Sequence, residues 1–133
     1  KWEWRIIKIG NSYFGHKKLL KGQYASGSDL VGWDCPPEKI LRMAKEIMEL
    51  EDFRSAAIDI FETLDGNFLV NEIQSIFGSF LPYQMKINGI PGRYYYDEIS
   101  DSFIFEKGDF NEFSSNLLRI NDFISRLNLK KKL

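Results

Sequence analysis

The sequence predicts an α+β domain with a mainly antiparallel sheet and two principal helices, and three observations carry that expectation. Short segments alternating apolar and polar residues recur on either side of Gly- and Asn-bearing turns, a strand pattern. Two longer stretches space their apolar residues at the 3.6-residue period of a helix. No apolar run approaches the roughly 20 residues a membrane helix needs, and no signal peptide heads the chain. The 133 residues are expected to form a single domain, 1–133, and 11 Phe, 6 Tyr and 3 Trp supply ample apolar surface for its core.

The elements follow in order. Residues 2–9 and 13–20 read as a β-hairpin around Gly10-Asn11-Ser12. Residues 21–34, with Ser26-Gly27-Ser28 and Gly32, read as a loop. Its Gly-Ser run could cradle an anion through backbone N–H groups, and a plain flexible turn is the favoured reading. Pro36-Pro37 opens a helix that carries Ile40, Met43, Ala44, Ile47 and Leu50 on one face and ends near Glu51. Residues 53–63 and 68–74 flank Asp65-Gly66, a strong signal for a two-residue hairpin turn. A loop over residues 75–82 and turns at Asn88-Gly89 and Pro91-Gly92 precede strands at 93–98 and 103–106. Asp109 as N-cap, with Glu112 three residues on, announces the last helix. Phe110, Phe113, Leu117, Ile120, Ile124 and Leu127 form its apolar stripe.

Charge and cysteine usage exclude several function classes. With 18 Lys and Arg against 19 Asp and Glu, no global positive field argues for nucleic acid. Locally, residues 1–21 hold six cations and one anion, and residues 97–112 hold six anions and one cation. An anion handled near the N-terminal end would suit this asymmetry, as would two solvated patches. One Cys and one His exclude a disulfide framework and a self-contained Cys/His zinc cluster, and the cytoplasm is the default compartment.

A two-residue loop at Asp65-Gly66 would set Asp59 opposite Glu72, Ile60 opposite Asn71 and Phe61 opposite Val70. The pleat then gathers Ala57, Asp59, Phe61, Val70, Glu72 and Gln74 on one face and sends Ile58, Ile60, Leu69 and Ile73 to the core. Like charges directly opposed destabilise a sheet, so some compensation is expected. Oxygen-only ligands completed by water and phosphates are what Mg²⁺ prefers, and Gln74 adds a carbonyl oxygen beside the pair. An exposed face whose acids are solvated or paired with Lys is the alternative on geometry alone.

The run Ala57-Ile58-Asp59-Ile60-Phe61, a short turn, and Phe68-Leu69-Val70-Asn71-Glu72-Ile73-Gln74 resembles the metal-binding strands of the ATP-grasp superfamily. There an Asp and, about thirteen residues on, a Glu followed at plus two by Asn hold the magnesium ions that bridge the nucleotide phosphates. The resemblance implies that Asp59 and Glu72 are metal ligands, with Gln74 standing where Asn is usual. The preceding hairpin looks like the pair of strands whose second member delivers a basic residue to the phosphates, which implies Lys17 or Lys18. Residues 72–78 and 88–94 look like a subgroup associated with bacterial surface polysaccharide genes. The likeness covers about residues 4–96 and implies the C-terminal half of the ATP-grasp fold. A missing N-terminal ATP-grasp subdomain is therefore the expected partner, in keeping with a first residue other than Met, and this chain alone is not expected to turn over ATP.

The functional expectation is a half-site for ATP and Mg²⁺ in a ligase that phosphorylates a small-molecule carboxylate and passes the acyl group to an amine or thiol. The alternative is a non-catalytic binding or assembly domain. Arg93 is the candidate for holding a substrate carboxylate, or else a surface stack on Tyr95. His16 beside Lys17 could contact a phosphate, a lone exposed strand histidine being the commoner outcome. Cys35 has no evident base and is not expected to be catalytic.

Overall fold

The computed structural model describes residues 2–19, 21–22 and 30–130. Lys1, the Ser26-Gly27-Ser28 run and the terminal Lys131-Lys132 lie outside the described residues. Among the described residues the architecture is α+β: eight strands form a mainly antiparallel sheet accompanied by two helices. In chain order these are β1 (Trp2–Ile9), β2 (Ser12–Lys18), β3 (Val31–Gly32), α1 (Glu38–Leu50), β4 (Ser55–Glu62), β5 (Phe68–Gln74), β6 (Lys86–Ile87), β7 (Ile90–Asp97), β8 (Ser102–Lys107) and α2 (Asn116–Lys130). The sheet runs β5-β4-β1-β2-β7-β6, with β3 on β2 and β8 on β7. No helix is long and apolar enough to cross a membrane among the described residues.

The first hairpin closes at Gly10-Asn11, with Ile9 opposite Ser12. β1 is central, paired along its whole length with β4 and along Glu3–Ile9 with β2. Its alternation divides the sheet. Trp4 and Ile6, with Ile58 and Ile60 of β4, point to the side where α1 buries Ile40, Leu41, Ala44 and Met48. α1 begins after Pro37, as its prolines predict, whereas Leu50 of the expected stripe ends 84% exposed. On the other side, Ile7, Ile9 and Phe14 meet the segment around Phe77 and Met85 and the ring of Phe110.

Four expectations are corrected. The β4–β5 loop has three residues: Thr63 N donates to Asn67 O at 2.9 Å, Gly66 N donates to Thr63 O at 3.1 Å, and Gly66 has φ 82°. This is a tight turn closed by a left-handed residue, which glycine adopts without steric cost. The register near the turn is therefore one residue off the expected one, with Ile60 opposite Val70 and Phe61 opposite Leu69. A bulge at Asn71 restores Asp59 opposite Glu72. Leu69 consequently shares a face with Phe61, Val70 moves to the other, and Leu69 and Ile73 are exposed at the sheet edge instead of lining the core.

Pro91-Gly92 lies within β7 and not in a turn, because Gly92 admits the Phe105 ring and the Glu106 carbonyl, 2.4 and 2.5 Å from where a Cβ would stand. The 21–34 loop contains β3, too short to carry a period. α2 starts at Asn116 and not at Asp109, since Phe113, Ser114 and Ser115 all adopt positive φ. Side chains hold that left-handed turn: Ser114 Oγ donates to Ser79 O at 2.7 Å, and Ser115 Oγ donates to Asn111 Oδ1 at 2.6 Å. Of the expected stripe only Phe110 packs against the core; Phe113, Leu117, Ile120, Ile124 and Leu127 are exposed.

Candidate functional site

Arg5 is the hub of the acidic hairpin face. As a residue of the central strand it faces Asp59 of β4 on one side and His16 of β2 on the other. Two residues earlier on the same face, Glu3 stands between Lys18 and Phe61. Asp59 is opposite Glu72, and Gln74 is opposite Ala57, so all of these side chains leave the sheet on the same side.

Asp59 is 1% exposed and fully engaged. Arg5 grips it in two parallel bonds, Nε to Oδ1 at 2.8 Å and Nη2 to Oδ2 at 2.8 Å, and Lys18 Nζ donates a short bond to Oδ2. Burial pushes the Asp59 carboxyl up, but the hydrogen bonds from Arg5 and Lys18 outweigh it and hold the group below the usual carboxylate range. The Asp59 hydrogen bonds in turn raise the Arg5 guanidinium. Lys18 Nζ also lies 3.5 Å from buried Glu3, whose Oε1 accepts from Asn71 Nδ2 at 3.1 Å. Asn71 is the bulge residue, freed from pairing to make that contact. Arg5 Nη2 donates to Gln74 Oε1 at 3.4 Å. Glu72 is exposed and makes no hydrogen bond or ion pair among the described residues. The compensation that the opposed acids require is thus an Arg and a Lys on Asp59.

Of the two candidate lysines, Lys18 belongs to this cluster. Lys17 points to the opposite face, where it pairs with Asp34 at 2.7 Å and lies over the rings of Trp2 and Trp4. Arg93 is at the far end of the sheet, held by Glu106 and by Ser12 Oγ at 2.8 Å each and stacked on Phe110 rather than Tyr95. Cys35 Sγ contacts the Tyr94 hydroxyl at 3.2 Å. A groove of about 1010 Å³ runs between α1 and the tip of the β4–β5 hairpin, and neither Asp59 nor Glu72 lines it.

His16 is not an exposed strand histidine. β2 meets β7 only at Tyr13 and Tyr94, and residues 84–85 fill the opening beyond. Gly15 N donates to Met85 Sδ at 3.2 Å, and His16 Nδ1 lies 3.0 Å from Gln84 O. A carbonyl can only accept, so Nδ1 carries the proton. Burial lowers the imidazole to about 4, and the nearby Arg5 and Lys18 charges add to that direction.

Sequence reasoning missed Glu3, Arg5 and Asn71. Glu3 and Arg5 alternate with Trp4 in a readable strand, but their approach to Asp59 depends on β1 lying beside β4, which no local pattern states. The donor set suits a hard cation in kind, being oxygen-only, with Glu72 free and Gln74 beside it. Asp59 would join such a site by giving up its Lys18 bond. Comparison of the chain with protein-family models, with curated proteins and with solved structures finds no match.

Proposed function

We propose that this chain is the metal- and phosphate-binding half of an ATP-dependent ligase that acts through an acyl phosphate. The observation that supports it most is Asp59 opposite Glu72 in register, with Gln74 on the same face and two cations, Arg5 and Lys18, converging on Asp59. Mg²⁺, when bound, would act as a Lewis acid on the β- and γ-phosphates, held by Glu72 and Asp59 with the Gln74 carbonyl. Lys18 and Arg5 would neutralise phosphate charge, with Asp59 keeping both oriented until the phosphates arrive. A second subdomain would supply the adenine contacts, and substrates would be a small carboxylate and an amine or thiol, in the cytoplasm.

Titration of the chain with Mn²⁺, a paramagnetic stand-in, in the presence of a non-hydrolysable ATP analogue tests this reading. Selective broadening of the amide signals of Asp59, Glu72 and Gln74 is expected, and Glu72→Ala should abolish it. Broadening confined to other residues overturns the proposal. A second reading, a non-catalytic assembly domain, is favoured by the complete engagement of Asp59. It requires no nucleotide-dependent broadening anywhere on this face.

A further inference from the structure

α2 is held to the body of the domain by one side. Leu118 packs against the core, Arg119 Nη2 donates to Phe77 O at 2.7 Å with its guanidinium over the Phe77 ring, and Asp122 pairs with Arg54. Those contacts fix the rotation of the helix about its own axis. The row Leu117, Ile120, Ile124 and Leu127, with Phe123 beside it, is thereby left 36–63% exposed.

The spacing of the row says what kind of element covers it. Steps of three, four and three residues make a heptad seam, which fits along a second helix crossing at a shallow angle. A helix face meant for solvent carries polar residues instead. The residues bordering the seam, Asn116, Asn121 and Asn128, are exposed and uncharged, so two copies of the row do not repel one another. The two ends of the helix differ in sign: Glu112 is exposed at its approach, whereas Arg126 and Lys130 belong to its last turns. An antiparallel pair about a two-fold axis sets each acidic end against the other copy's basic end and opposes the helix dipoles. Phe113 stands exposed at the same N-terminal end. With it, the rows of two copies would bury on the order of 1,000 Å², which reaches the size a specific interface needs. We propose that this face of α2 is a homodimer interface, covered by α2 of a second copy of this chain in antiparallel orientation.

Sedimentation velocity of the chain over a range of concentrations tests this. A reversible monomer–dimer equilibrium is expected without nucleotide or metal. Ile120→Asp and Ile124→Asp should each weaken it more than tenfold while the circular dichroism spectrum is kept. Leu50→Asp, which sets the same charge at an exposed leucine of α1, should leave it unchanged. The orientation is read from a spin label on Asn128→Cys, in a Cys35→Ser chain, mixed with ¹⁵N-labelled chain: broadening strongest at the amides of residues 116–118 is expected. A chain that stays monomeric overturns the proposal and leaves the row to a different partner. Self-association that survives both α2 substitutions, or an equal loss in Leu50→Asp, overturns it as well. Broadening strongest at residues 126–130 overturns the antiparallel arrangement.

Discussion

Two buried charges on opposite faces of one sheet are handled in opposite ways. Asp59 is matched by Arg5 and Lys18 and held below its ordinary range, whereas Lys8 has a single carbonyl partner, Phe53 O, and is lowered by burial. The difference comes from neighbours across the ladder: Arg5 faces Asp59, but Lys8 faces Ala56 and Tyr13. A paired buried charge makes each partner depend on the other. An unpaired one depends only on solvent, and the two should respond differently to substitution.

The largest expected effect is Asp59→Ala, which leaves Arg5 without its carboxylate partner and Lys18 with the longer contact to Glu3. A loss of about 3 kcal/mol in unfolding free energy is expected, the lower end for breaking a buried pair because both cations keep some water contact. Arg5→Met combined with Asp59→Leu should recover much of that loss, and denaturant midpoints of the singles and the double measure the coupling. An additive double would break the comparison.

His16 provides a third way to bury a titratable group, by keeping it neutral. Its folded value of about 4 lies below the unfolded value of 6.5, so the unfolded chain takes up the proton first as pH falls. Its stabilising effect is present above about pH 6.5 and is lost progressively down to about pH 4, amounting to about 2–3 kcal/mol over that window. Chemical denaturation at several pH values should show that slope, and His16→Gln should flatten it.

Lys8→Met is expected to raise stability by about 1 kcal/mol, since an apolar chain of similar length replaces an unpaired ammonium. A loss of 1 kcal/mol or more would mean that the Phe53 carbonyl bond outweighs the burial cost. Smallest of all, Glu72→Gln should change stability by no more than about 0.5 kcal/mol, because the Asp59 charge opposite is already neutralised and Glu72 is exposed. The same substitution should remove most of the nucleotide-dependent metal signal, which marks a residue whose charge serves a ligand.

Local chemistry made much of the molecule readable. The hairpin turns at Gly10-Asn11 and Asn88-Gly89, the start of α1 behind Pro36-Pro37 and the opposition of Asp59 to Glu72 all follow from turn residues and pleat period within a few residues of each other. That opposition also survived an error in the loop: three turn residues stand where two were expected, and the Asn71 bulge cancels the slip. A bulge has no composition of its own, so alternation alone could not reveal it.

Tertiary structure decided what surrounds the acids. Arg5 reaches Asp59 across a sequence separation of 54 residues, Lys18 across 41, and His16 meets a carbonyl 68 residues away, because β1 inserts between β4 and β2 and residues 84–85 fill the opening beside β2. The late start of α2 has the same origin: hydrogen bonds from the 79–84 segment hold residues 113–115 left-handed against a capping signal at Asp109. Periodicity encodes which face a residue takes, since that is a property of one strand. Which strand lies alongside depends on long-range closure, where burial and charge pairing are satisfied together, and a linear pattern carries no record of it.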